Sequence, residues 1–251
     1  MRSLSNRAAL ALVLAFAAGL TGLVILPPLF ETRPKDIEAA LDGNPDIRLT
    51  IAALRADYPQ DYRALIERLA ARAQGGGDRQ ALDREAAAFM ADFMAAKAGF
   101  VAGASDAQLR DVAIAYAGLI RMLRDRDQNL CARFVTNGMP EGAAPPRSVT
   151  VRLDRISALR IRAARTGESG GRPPRAGLSP EDRRAWFARL ARNDAASAAL
   201  LAAGTIDRAP PLAQCQAGLA LYQAAAELPA AQSANVMAGL SGGAIPAAPA
   251  R

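Results

Sequence analysis

SDAQLRDVAIAYAGLIRMLRDR, residues 105–126, decides the fold. At 100° per residue, Leu109, Val112, Tyr116, Leu119, Ile120 and Leu123 fall within an arc of about 100°, which makes one apolar stripe on a helix. Ser105-Asp106 supplies its start. The polar run Asp125-Arg126-Asp127-Gln128-Asn129 predicts a bend after it. A helix striped in this way must bury its stripe against neighbours, so the flanking sequence has to supply further layers.

It supplies helices. Upstream, Asn44-Pro45 puts a capping side chain before a proline and predicts a helix that stops near Pro59. In 60–74, Tyr62, Leu65, Ile66, Leu69 and Ala73 recur at helical spacing. Gly75-Gly76-Gly77 breaks the chain, and Asp78 can cap a helix whose inner face is Leu82, Ala86, Phe89, Met90 and Phe93. Downstream, residues 137–146 read as a loop. Ser179-Pro180-Glu181-Asp182 combines a cap, a proline at the first position and an acid three residues on, opening a helix with Trp186 and Leu190. A shorter Ala-rich segment follows, then a helix from about 211 to 228. Residues 148–166 support two readings: SVTVRLD alternates like a strand, while Leu153, Ile156, Leu159 and Ala163 fit a helix. A flexible loop is expected near 167–178 and a disordered tail over 241–251. No internal repeat is present.

Composition agrees. The chain is 51% apolar but only 5% aromatic, with alanine dominating. Alanine loses no side-chain entropy in a helix, whereas strands favour β-branched and aromatic residues. The expected fold is all-α: an N-terminal transmembrane anchor followed by a compact bundle of about eight short helices over 31–240.

The anchor is read from residues 8–30, AALALVLAFAAGLTGLVILPPLF, which carry no charge and follow Arg2 and Arg7. Twenty-three residues span about 34 Å as a helix, enough for a hydrocarbon core of roughly 30 Å. A cleavable signal cut after Ala15-Phe16-Ala17 competes, but it would leave a strongly apolar new terminus. Arg33 and Lys35 balance Arg2 and Arg7, so flanking charge does not fix the orientation. The short tail before the run and the long domain after it favour a signal-anchor. The expected location is single-pass in the inner membrane, with the main domain in the periplasm.

Cys131 and Cys215 are the only cysteines. Each sits among apolar neighbours at helical spacing: Phe134 and Val135 beside Cys131, and Leu212, Leu219 and Tyr222 beside Cys215. In an exported domain this pattern predicts one structural disulfide; in a reducing compartment both would pack as small hydrophobes.

The chain contains no histidine. That removes the Ser-His-Asp triad, the Cys-His pair and His-based zinc sites. Gly167-Glu168-Ser169-Gly170-Gly171 and Gly239-Leu240-Ser241-Gly242-Gly243 match the Gly-x-Ser-x-Gly pattern, but neither follows a convincing strand and no base exists. No phosphate loop or dinucleotide fingerprint is present. The sequence gives no reason to expect a metal or a cofactor. Carboxylate chemistry of the glycosidase kind remains open, with Glu67 and Glu85 as candidates beside Arg68 and Arg84.

Charge is the remaining signal. Residues 1–146 balance 17 basic against 17 acidic side chains, whereas 147–192 hold 12 arginines against four acids. On a helix, Arg155, Arg162 and Arg165 gather on one side, and Arg183, Arg184, Arg189 and Arg192 surround Trp186. This segment is a candidate anion-binding surface for an acidic protein or anionic lipid, set against a merely solvated arginine face. Nucleic acid is the weakest partner, because no recognition helix or stacking platform appears. The expected function is non-catalytic binding at a bacterial envelope. Its alternatives are a carboxylate-based envelope enzyme and a cytosol-facing nucleic-acid module.

Overall fold

The computed structural model describes residues 33–139, 145–170, 175 and 178–241. The anchor expected at 8–30 and nearly all of the tail expected at 241–251 lie outside the described residues. All regular structure among the described residues is helical. It comprises α1 (Pro34–Asp42), α2 (Arg48–Asp57), α3 (Pro59–Gln74), α4 (Arg79–Val101), α5 (Asp106–Arg126) and α6 (Gln128–Asn137). After these come α7 (Arg147–Ser169), α8 (Pro180–Asn193), α9 (Ala195–Ala203), a 3-10 turn (Ile206–Arg208), α10 (Pro211–Glu227) and α11 (Ala230–Ser241). No described helix is long and apolar enough to cross a membrane.

The helices outnumber the eight expected because single residues divide them. Tyr58 alone separates α2 from α3, Asp127 separates α5 from α6, and Asp194 separates α8 from α9. Asp127 and Asp194 are extended, with φ near −153° and −158°, so each turns the chain. Each carboxylate then caps the helix that follows. Asp127 Oδ1 accepts from the N–H groups of Asn129 and Leu130 at 2.9 Å, and Asp194 Oδ1 accepts from Ser197 N–H at 3.0 Å. An aspartate that ends one helix by its backbone starts another by its side chain.

Local start signals at Asp78, Ser105 and Ser179 act as their sequence implies: each side chain accepts from the backbone N–H three residues on. Asn44-Pro45 does not open a helix. Asn44 Oδ1 accepts from Asp46 N–H at 3.0 Å, a turn of its own, and α2 begins at Arg48 instead. The two readings of 148–166 resolve to helix. Val149, Leu153, Ile156, Ile161, Ala163 and Ala164 are buried, while Val151, which a strand would place beside Val149 and Leu153, is exposed. The loop expected near 167–178 begins later than expected, since Gly167, Glu168 and Ser169 complete α7.

Three helices organise the core. α5 packs against α6, α7, α10 and α11; α7 against α2, α4 and α5; α10 against α6, α8, α9 and α11. The stripe read from α5 is wholly buried: Leu109, Val112, Tyr116, Leu119, Ile120 and Leu123 are all at most 3% exposed. Two close approaches depend on glycine. Where α4 ends beside α7, a Cβ on Gly167 would overlap the Phe100 carbonyl oxygen, and one on Gly103 would lie 3.3 Å from the Gly167 Cα. Where α6 meets α10, a Cβ on Gly218 would overlap the Val135 side chain. One turn away, Cys131 and Cys215 form a disulfide, both fully buried, with Cα atoms 5.4 Å apart. The cysteines flagged by their apolar neighbours therefore do meet.

Candidate anion-binding groove

The arginines of 147–192 separate by what they touch. Arg147 pairs with Asp46 at 3.2 Å, and Arg165 lies 3.7 Å from Glu168 and over the Tyr58 ring. Arg189 approaches Glu227 at 3.9 Å. Arg160 turns inward, only 7% exposed, and hydrogen-bonds Tyr116, whose ring stacks on Tyr222 at 4.8 Å. Burial pushes both of those phenols upward, and for Tyr116 the Arg160 guanidinium opposes the shift. Arg175 donates to the carbonyls of Ala102 and Ala104 at 2.8 and 2.7 Å and pairs with Asp106, which ties the stretch before α8 to the α4–α5 turn. These five arginines are part of how the protein is held together.

Arg152, Arg155, Arg162, Arg184 and Arg192 are different. They are exposed and have no ion pair among the described residues. Arg183, half-buried, and Arg184 both lie on α8, and they are set apart from the α7 arginines because α7 and α8 pack on different neighbours. The segment therefore does not present one continuous patch. Arg155 is brought together not with Arg183 and Arg184 but with Arg152 and with Arg121, an arginine of α5 outside the charge-rich stretch.

These three surround a groove of about 360 Å³. Its floor is the outer face of α5, where Ile114, Gly118 and Arg121 follow one another at helical spacing. One wall is Arg152 and Arg155 of α7; the other is the last turns of α10, at Gln223, Ala226 and Glu227. Asp111 also borders it. Glu227 is already engaged, accepting from Asn193 Nδ2 at 2.9 Å besides its approach to Arg189. Gly118 explains the depression. A Cβ there would stand only 3.3 Å from the Arg152 Nη1, so the missing side chain is what lets that guanidinium settle over the α5 backbone. The groove is apolar as well as basic: Ile114 on its floor is 51% exposed, and Ala115, Ala117 and Ala226 also line it.

A second cluster joins the α2–α3 link, α4 and α7. Lys97 Nζ donates to Glu168 Oε1 at 2.9 Å and stands 4.7 Å from the centre of the Tyr58 ring and 5.5 Å from that of Phe100. Donation from Lys97 holds the Glu168 carboxyl below its usual range, and burial together with Glu168 raises the Tyr58 phenol. Every charge here has its counter-charge inside the cluster, so it reads as a fastening.

The candidate acids do not converge. Glu67 is exposed on α3, and Glu85 accepts from Arg68 Nε at 2.8 Å, with that guanidinium also over Phe89. Ser169 and Ser241, the serines of the two Gly-x-Ser-x-Gly matches, donate back to Arg165 and Met237 carbonyls of their own helices. Among the described residues no group of His, Cys, Asp or Glu could hold a metal ion. Arg121 and Gly118 escaped sequence reading because both lie on the solvent face of α5. The usable signal was a glycine in mid-helix, which costs about 1 kcal/mol relative to alanine. No protein-family model matches the chain, and no curated protein or solved structure is found similar to it.

Proposed function

We propose that this chain is a membrane-tethered, extracytoplasmic helical domain that acts by binding, as a structural or assembly factor of a bacterial envelope. The observation that carries the reading is the buried Cys131–Cys215 bond, because such bonds form and persist in oxidising compartments. The uncharged run at 8–30 supplies the tether in this reading. Binding rather than catalysis is favoured by what the surface offers: arginines without ion-pair partners, and carboxylates that stand apart or are already paired.

The test is protease accessibility in bacterial cells expressing the full chain. The account expects the domain to resist protease in intact cells, to be cut in spheroplasts, and to stay with membranes after alkaline extraction. A domain still protected in spheroplasts and cut only after lysis contradicts it.

A further inference from the structure

We infer that the groove between α5, α7 and the end of α10 is a docking site for an acidic, amphipathic segment of a partner protein. This rests on the binding reading above and commits further, to a place and an occupant. Three features argue for it. Arg152 and Arg155 lie one turn apart on α7 with Arg121 across from them, and none has an ion pair among the described residues. They complement carboxylates spaced by one turn on a partner helix. Ile114 is a large apolar side chain left half in water beside those charges, which a lipid headgroup or a free anion would leave uncovered. Gly118, at a cost to α5, has no side chain to hold the Arg152 guanidinium off the floor, and so sets that charge where an incoming carboxylate can reach it. Together they describe a helix-in-groove mode, with apolar anchors below and acids along one edge. Of the two carboxylates bordering the groove, Glu227 is already held by Asn193 and Arg189, whereas Asp111, exposed and without an ion pair among the described residues, marks the end that the acidic edge must avoid.

The experiment uses the full chain in zwitterionic nanodiscs and a fluorescent model peptide, a short amphipathic helix bearing glutamates and leucines. Its Glu→Gln counterpart serves as control. The peptide is expected to bind saturably, and the control to bind at least about tenfold more weakly, a loss of roughly 1.4 kcal/mol. The double variant Arg152→Glu/Arg155→Glu should weaken binding by at least a similar factor. Gly118→Leu, which fills the floor and pushes the Arg152 guanidinium off it without removing any charge, should also weaken it, while Arg183→Glu/Arg184→Glu should not. Thermal melts confirm that each variant folds.

Several results would overturn the inference. One is equal peptide binding across all variants. Another is anionic vesicles that bind with the same dependence on Arg152 and Arg155 while Gly118→Leu changes nothing, which would assign the arginines to a lipid surface. A third is self-association of the chain abolished by Gly118→Leu, which would give the groove to a second copy. None of these outcomes bears on protease accessibility, so failure of the groove and failure of the tethered, exported reading are distinguishable.

Discussion

The Asp154 carboxylate accepts a hydrogen bond from the Thr50 backbone N–H at 2.8 Å, across 104 positions of sequence. A second, from Leu49 N–H at 2.9 Å, reaches its other oxygen, and the Thr50 hydroxyl donates back to the Asp154 carbonyl at 3.2 Å. α2 begins after Ile47, which has no side chain able to cap, so an aspartate from α7 takes that role. Asp154→Ala should therefore destabilise by about 1–2 kcal/mol, the usual worth of a cap. Asp154→Asn, which keeps one acceptor, should cost less. Urea midpoints for the two variants check the order.

Asp83 should make stability fall as pH rises. Its Oδ1 is buried without a hydrogen-bond partner among the described residues, and burial pushes the carboxyl up to about 6, against a smaller opposing pull from Arg79. An unfolded aspartate titrates near about 4, so between roughly pH 4 and 6 the folded state holds the extra proton and stability drops with increasing pH. Asp83→Asn should thus stabilise the protein at pH 7 by about 1 kcal/mol, discounted for partial exposure, and have little effect at pH 4. The variant-minus-parent difference in urea midpoint, followed across pH, isolates this group from the other acids.

Gly218 and Val135 should behave as a coupled pair. Gly218→Ala forces a methyl into the Val135 side chain and should destabilise by about 1–3 kcal/mol despite better helix propensity. Adding Val135→Ala should recover part of the loss. Purely additive effects in the double-mutant cycle would contradict the contact.

Gly167→Ala should be worse. The obstacle is the Phe100 carbonyl, a backbone atom that cannot rotate away, at the point where α4 ends against α7. A loss of about 3 kcal/mol or more is expected, with no rescue by substitution at Phe100. Thermal melts of Gly167→Ala and Gly167→Ala/Phe100→Ala decide it.

What was legible in the sequence was local. The stripe from Leu109 to Leu123 fixed the central helix because one helix face goes to one core. The caps at Asp78, Ser105 and Ser179 were readable because each bonds within its own first turn. Asn44 misled because its side chain satisfies a nearby N–H in a turn as readily as at a helix start. The inward turn of Arg160, the long-range cap by Asp154 and the clamp by Arg175 depend on partners 44 to 105 residues away, as the Tyr116, Leu49 and Ala102 contacts show. No short-range pattern encodes them. The groove was half legible: Arg155 stood out by charge, whereas Arg121 joined it only through the packing of α5 on α7.

The most direct test of the account is the oxidation state of Cys131 and Cys215 in cells. Both are fully buried, so a mass-adding maleimide applied after denaturation reads their bonding and not their exposure. The account predicts no labelling of the full chain without reductant and two additions with it. Each single Cys→Ser variant should accept one without reductant, and should also lose up to about 4.5 kcal/mol by chain-entropy arithmetic. Two additions on the denatured parent chain without reductant would mean that the thiols are free. The compartment assigned to this protein, and with it the envelope-binding reading, would then be wrong.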